Sequence, residues 1–414
     1  MEFTCPSSAY VHIPFCRRRC FYCDFPISVV GDQRNGNNSA AIARYVEALC
    51  SEIRLTESLG EPLKTVFFGG GTPSLLSIAQ LNQILDALDR QFGISKAAEI
   101  SMEVDPGTFG LSQIKGYRGA GVNRVSLGVQ AFQPELLKAC GRTHTVEDVY
   151  ASIDLIRQVD LENISLDLIS GLPNQTSEQW QDSLTKAIAL SPQHLSTYDL
   201  TIEPMTPFGK QYSPGEKPLP SDELTADLYR IANQVLTAAG YEHYEISNYA
   251  QPNYQCRHNR VYWENHSFYG FGMGATSYIN GDRTARPRKT REYYSWLDQQ
   301  CQQISSLGSI AEATPSDVLL DTLMVGLRLA EGLSLQNLVQ QFGDACVAEV
   351  WECLKPYQRA GWVELVGADN TLLPAGSALP KVGQLRLANP EGFLFSNVVL
   401  VKLFERFDQS GNNA

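Results

Sequence analysis

Long apolar runs are absent from this chain. No stretch of about 18 hydrophobic residues occurs, which excludes a membrane-spanning helix from the expectations. An N-terminal charged-then-apolar leader is also absent, so the sequence predicts a cytoplasmic protein with no stable membrane anchor. Positive charge is in deficit: 33 Lys and Arg against 45 Asp and Glu leave a net −12. Phosphate backbones are gripped by basic faces, so no nucleic-acid partner is expected. Evenly paired cysteines are missing too. Three of the ten crowd together at 16, 20 and 23, and the rest lie at 5, 50, 140, 256, 301, 346 and 353 with no second triplet. A reducing compartment favours free or metal-bound thiols over disulfides, and the scattered cysteines read as small buried hydrophobes. What remains, 43% apolar and 19% charged over 414 residues, suits a large domain plus a smaller one.

The chemistry begins at YVHIPFCRRRCFYCDF, residues 10–25. Its cysteines follow C-x3-C-x2-C. A disulfide framework would leave an odd thiol on a short loop. Zinc could take the three thiolates with His12 or Asp24, but structural zinc sites typically use paired knuckles, and no second knuckle exists. A [4Fe–4S] cluster normally takes four thiolates; with three, one iron stays open to an outside ligand. Cys16, Cys20 and Cys23 are the candidate metal ligands. Cys5 lies outside the motif and is a candidate fourth.

Past this loop, apolar strands alternate with helices. Strands are expected at 8–14, 64–74, 98–108, 122–130, 161–173 and 193–204, and helices at 39–59, 77–91, 111–119, 134–140, 146–158 and 177–190. Such alternation builds βαβ units around a parallel sheet. Glu103, Gln130, Asp167 and Thr201 fall at or just past the C-terminal ends of their strands, as do the cysteine loop and glycines 69–71. Polar groups gathered there define the mouth of a TIM-like barrel. The expected class is therefore α/β, a partial (β/α)6 barrel. The glycine run lacks G-x-G-x-x-G spacing, so it is read as a close backbone approach to a ligand.

The loop resembles that of the radical S-adenosylmethionine (SAM) proteins. From about 8 to 408 the chain resembles one branch of them, the oxygen-independent coproporphyrinogen III dehydrogenases and the heme chaperones related to them. This resemblance implies a [4Fe–4S] cluster on the three cysteines. It implies a SAM site in which Tyr10 and Tyr22 flank the cofactor, and Gly70, Gly71 and Thr72 contact its amino-acid end. Glu103 in EVDPGT, Gln130 in LGVQ and Arg142 in GRTHT would also contact SAM. Asp167 in LDLISGLP would hold the ribose, and Thr201 is a looser match. The residue types suit these tasks: an arginine fork grips a carboxylate, and an aspartate accepts from ribose hydroxyls.

Two features separate the branches. The dehydrogenases carry a further cysteine two residues after the third, where this chain has Phe25, and a longer segment before the cluster loop. CRHNRVYW (256–263) contains H-N-x-x-Y-W, associated with heme binding in the chaperones. His258 is then the candidate axial ligand, with Tyr262 and Trp263 as flat apolar surface for a porphyrin and Cys256 as an alternative ligand. The expected function is a heme chaperone that passes heme to a heme-requiring acceptor protein, with no turnover of the ordinary enzymatic kind. The alternative is radical decarboxylation of coproporphyrinogen III. An RNA-modifying enzyme is disfavoured by the acidic charge.

The remaining stretches are read more simply. YGFGMGATSYING (269–281) is expected to pack against the ligand cavity, and the basic run 282–292 to be a solvated linker. Arg17, Arg18 and Arg19 would be exposed and could dock an acidic electron donor such as a flavodoxin or ferredoxin. Three segments follow: a barrel over 1–245, a linker with the heme motif over 246–315, and a helical, winged-helix-like domain over 316–414. In the last, Ser316 would cap the first helix and strands would lie near 362–365 and 371–373. Its seven basic and eleven acidic residues argue against a DNA-binding face.

Overall fold

The computed structural model describes residues 4–32, 34–302 and 314–407. Its centre is a nine-stranded sheet. Six strands follow one another in parallel: β1 (Ser8–Ile13), β2 (Leu63–Gly70), β3 (Ile94–Val104), β4 (Arg124–Gln130), β5 (Asn163–Ser170) and β6 (His194–Asp199). Each is followed by one or more helices, among them α1 (Ala40–Leu55), α2 (Ile78–Phe92), α3 (Leu111–Gly119), α4 (Val146–Arg157), α5 (Ser177–Ala189) and α6 (Asp222–Ala238).

Local sequence explains these units. In α1, Ser39 accepts from the Ile42 amide, and Ile42, Tyr45, Val46, Leu49 and Ile53 recur at helical spacing to form the buried stripe. Thr145 and Thr176 begin α4 and α5 with reciprocal capping boxes. All seven residues of β4 are buried, as a strand covered on both faces requires.

Residues 246–315 were expected to be a linker region with the heme motif; two short strands of them join the central sheet, as does a strand that just precedes them. β7 (Glu242–Glu245) and β8 (Asn248–Ala250) extend it antiparallel beyond β6, and β9 (Tyr269–Phe271) lies parallel to β1 at the opposite edge. The glycines of 269–281 serve that edge. Gly270 admits the backbone of Thr276, and Gly272, at φ +95°, brings the chain against the carbonyl of His12. Between the two edges runs a short helix, α7 (Arg257–Trp263).

The basic run 282–292 is not simply solvated. Arg286 is buried in an ion pair with Glu52 of α1, Arg283 pairs with Asp321, and Arg288 with Asp24 of the cysteine loop. Glu52 also accepts from the Gly272 amide and the Tyr293 hydroxyl, so one carboxylate ties three segments to α1.

The C-terminal part has its own apolar core, centred on Leu323, Leu354, Leu365 and Leu403. Helices α8 (Pro315–Gly326), α9 (Leu335–Phe342), α10 (Asp344–Arg359) and α11 (Ser396–Phe407) pack with a three-stranded antiparallel sheet of β10 (Leu333–Ser334), β11 (Val363–Gly367) and β12 (Gly383–Leu387). Thr314, not Ser316, caps the first helix, because Pro315 occupies its first turn and Asp317 completes the capping box. The strand expected at 371–373 is only a bridge at Leu372, and β12 takes its place beside β11. Among the described residues, no helix is long and apolar enough to cross a membrane.

Candidate cofactor site at the barrel mouth

The cysteine loop leaves β1 and folds over the C-terminal ends of the strands. Its shape is held by its own arginines and by neighbouring loops. Arg19 donates to the carbonyls of Cys23, Phe25 and Ile27, Arg17 to that of Gly107, and Arg18 pairs with Asp32. The Phe21 amide bonds the Cys140 carbonyl, and the Phe21 carbonyl accepts from Phe208. Tyr22 packs against the small apolar cluster of Ala131, Leu137 and Cys140.

The glycine run lies directly beside the loop. The Gly71 amide donates to Ile13 and the Thr72 amide to Phe15, at 2.9 and 2.7 Å. A Cβ on Gly70, which has φ +107°, would fall 2.3 Å from the His12 ring, so the approach needs glycine. His12 gives its Nε2 proton to the Pro26 carbonyl and accepts from the Tyr10 hydroxyl at Nδ1, each at 3.0 Å. Both nitrogens are engaged, so His12 presents no free nitrogen to a metal in this arrangement. Cys5 precedes β1 while Cys16 follows it. That strand, six residues and about 20 Å long, lies between the two thiols.

Two sulfurs have donors of their own. The Thr72 hydroxyl lies 3.6 Å from Cys16 Sγ, and Arg142 Nη1 lies 3.5 Å from Cys20 Sγ. Burial pushes the Cys16 thiol up to about 12. A zinc ion would draw its sulfurs to about 3.8 Å from one another, given tetrahedral bonds of about 2.3 Å. Among the described residues, no three His, Cys, Asp or Glu side chains converge closely enough for a single ion. A cluster presents separate irons to separate thiolates and so needs a wider set. A three-cysteine loop with positive charge and hydroxyl donors at its sulfurs fits that group.

Behind the loop is a polar lumen. Glu103 accepts from the Gly70 amide at 3.0 Å. Burial, and next the charge of Asp167, raise its carboxyl to about 8. Asp167 accepts from Ser126 at 2.9 Å and from Ser165 at 3.3 Å, and burial raises it as well. Gln130 ends β4 at φ +66°, a conformation rare outside glycine, where the ladder with β5 slips by one residue. Arg142 donates to Asp105 Oδ1 at 2.5 Å, to the Gly128 carbonyl at 2.9 Å, and through Nε to His144 at 3.3 Å. His144 accepts at Nδ1 and gives its Nε2 proton to the Val129 carbonyl; burial lowers it to about 4, so it is neutral and orients the arginine. Asp105 and Thr72 share a hydrogen bond of 3.2 Å. A cavity of about 110 Å³ beside Cys20 is lined by Arg17, Thr72, Asp105, Arg142 and His144.

Tyr10, Tyr22, Gly70, Gly71, Thr72, Glu103, Gln130, Arg142 and Asp167 thus gather at the mouth and upper lumen. Thr201 is exposed, two residues past β6. Asp105, His144 and the serines around Asp167 escaped the sequence reading, and His12 was read only as a possible zinc ligand. Asp105 and His144 carried a usable signal, since each stands within a motif already singled out.

The H-N-x-x-Y-W segment is α7, and it lies at the other end of the lumen. His258 is 1% exposed, its Nδ1 2.7 Å from the Thr65 hydroxyl and its Nε2 2.8 Å from that of Tyr262. Its ring stacks on Phe67 at 5.2 Å, and Phe67 faces Tyr10 at 6.3 Å. Burial lowers His258 to about 3. Glu99 of β3 accepts the amides of Arg257 and His258, both at 3.1 Å, so a carboxylate caps the helix. Cys256 is fully buried beside it. Trp263 turns toward the C-terminal part, where the Arg328 guanidinium lies 4.4 Å over its ring.

A barrel of this kind, with three cysteines looped over its mouth, is the architecture of the radical SAM proteins. The radical SAM superfamily pattern matches residues 10–187, and that of the HemN C-terminal domain matches 313–369. The chain is 47% identical over 405 residues to the heme chaperone HemW of Synechocystis sp., covering 98% of both chains. It is 36% identical to HemW of Bacillus subtilis, over 81% of this chain and 87% of that one, and 40% identical to HemW of Escherichia coli, over 69% and 74%. Accordingly the chain belongs to the HemW family of radical SAM proteins. Coproporphyrinogen III oxidase (HemN) of Escherichia coli shares the fold, with a TM-score of 0.78 at 24% identity over 97% of this chain and 90% of that one.

Proposed function

We propose that this protein is a heme chaperone: it binds heme together with a [4Fe–4S] cluster and SAM, and passes the heme to a heme-requiring acceptor protein. The observation that carries this reading is the similarity to a heme chaperone along essentially the whole chain, 47% over 405 residues. In it, Cys16, Cys20 and Cys23 hold the cluster. Glu103, with the amides around Gly70 and Gly71, receives the amino-acid end of SAM, Arg142 balances its carboxylate, and Asp167 takes the ribose hydroxyls. Tyr10 and Tyr22 wall the site, Thr72 and Gln130 shape it, and Thr201 stands at its rim. The bound cluster would supply one-electron chemistry or simply complete the coordination of SAM.

His258, with Tyr262 and Trp263, is the proposed heme contact. Ligation through either ring nitrogen requires the ring to release Thr65 or Tyr262. Heme binding at His258 therefore includes an opening of the barrel floor. The half-exposed Arg17 and the exposed Arg18 and Arg19 beside the loop would receive an acidic flavodoxin or ferredoxin.

Anaerobic reconstitution followed by two assays tests the proposal. Near-stoichiometric heme uptake in an absorption titration, with no conversion of coproporphyrinogen III by reductant and SAM, is the expected result. Many turnovers to protoporphyrinogen IX would instead make the chain a decarboxylating radical enzyme. The variant His258→Ala is expected to weaken heme binding with the cluster intact; unchanged affinity removes His258 as the ligand.

A further inference from the structure

Asp105 stands between the two donors that reach the cysteine sulfurs. Thr72 Oγ1 lies 3.2 Å from Asp105 Oδ2 and 3.6 Å from Cys16 Sγ. A hydroxyl has one proton, and the nearer carboxylate is its stronger acceptor. Arg142 serves both at once: Nη2 donates to Asp105 at 2.5 Å, and Nη1 lies 3.5 Å from Cys20 Sγ, an ordinary distance to sulfur. Asp105 also sets a negative charge against the guanidinium, whose side chain is 9% exposed.

Hydrogen bonds to the sulfurs and the net charge nearby set the reduction potential of an iron–sulfur cluster. Both donors favour the more negative, reduced form; Asp105 takes the proton of one and offsets the charge of the other. We propose that Asp105 is a positioning residue that holds the cluster potential low, by keeping the Thr72 proton from Cys16 and offsetting the Arg142 charge beside Cys20. This rests on the reading of the cysteine loop as a [4Fe–4S] site. The chemistry required is a cluster that stays oxidised until a strong one-electron donor docks.

The test compares the wild type with Asp105→Asn, Asp105→Glu and Thr72→Val, each reconstituted anaerobically without SAM. Iron and sulfide are counted, and the midpoint is read by an EPR-monitored redox titration. Asp105→Asn should keep about four irons per chain. Its reduced-to-oxidised ratio at a fixed potential should rise about tenfold, which is 59 mV for one electron. Asp105→Glu should stay near the wild type, and so should Thr72→Val, whose hydroxyl proton Asp105 already holds in the wild type. A fully loaded Asp105→Asn with an unchanged or lower midpoint overturns the proposal. Should that variant fail to hold its cluster, Thr72→Val decides: a midpoint near the wild type supports the proposal, and a lowered one shows the hydroxyl already bonded to Cys16 and overturns it. A wild type that takes up no cluster sinks the reading of the loop itself, and the proposal with it.

Discussion

At the scale of single residues, the lumen is governed by carboxyl groups kept out of water. The folded chain holds the Glu103 proton up to about 8, whereas an ordinary glutamate loses it near 4.5. The stability this lends is complete below 4.5 and is lost as pH rises toward 8, because the unfolded chain then binds fewer protons than the folded one. Urea midpoints of the ligand-free protein should therefore fall across that range, and Glu103→Gln should flatten the fall. A cationic ligand group needs the ionised carboxylate, so SAM affinity, read by calorimetry, should climb with pH up to about 8 and lose that dependence in Glu103→Gln. Asp167→Ala should weaken SAM by about 1.5–3 kcal/mol, the worth of hydrogen bonds to a charged acceptor. Glu103 and Asp167 were legible because a charged residue in an apolar strand needs a reason to be there, although Asp167 lies three residues inside its strand and not at the end expected. Ser126 and Ser165 were not, since serine is unremarkable inside a strand and only the fold brings these two to one carboxylate. Thr201 was placed by counting along a strand expected to run to 204, but the strand ends at Asp199.

At the scale of elements, α7 shows how a motif can be seen and its position missed. Seven residues with Cys256 at the N-cap offer no capping side chain of their own. The cap is Glu99, from a strand far earlier in the chain, and no local pattern announces it. Glu99 is 6% exposed and lies near the buried Arg124. Glu99→Ala should cost about 3–5 kcal/mol in urea unfolding, as expected when a buried charge loses its counter-charge. The parallel strand β9 was illegible for a related reason. Its glycines break the apolar alternation that marks a strand, and its partner, β1, lies at the far end of the sequence. The six strands and the helices through α5 were legible because most carry their own period and caps; α6 lies beyond the last barrel helix that was expected.

At the scale of the whole molecule, barrel and C-terminal part are joined by buried apolar contact and by polar clasps. Tyr229 of α6 belongs to the C-terminal core, and the Ala330 amide bonds the Tyr244 carbonyl of β7. Arg230 grips Glu391 with two hydrogen bonds, at 2.7 and 2.9 Å, but in the open. Thermal or urea unfolding should separate these contributions: Tyr229→Ala should cost about 3–5 kcal/mol, the range for a large buried aromatic, and Arg230→Ala at most about 1 kcal/mol. The sequence placed the C-terminal part and its helices but not this seam, which depends on residues from both parts.

The barrel floor has a consequence for the order of events. Glu99, Arg124, His194, Cys256 and His258 close it with side chains no more than 6% exposed. On the proposed reading, a guest that ligates His258 must wait for this packing to part. The pace of capture is then set by the protein's own breathing and not by how often a guest arrives.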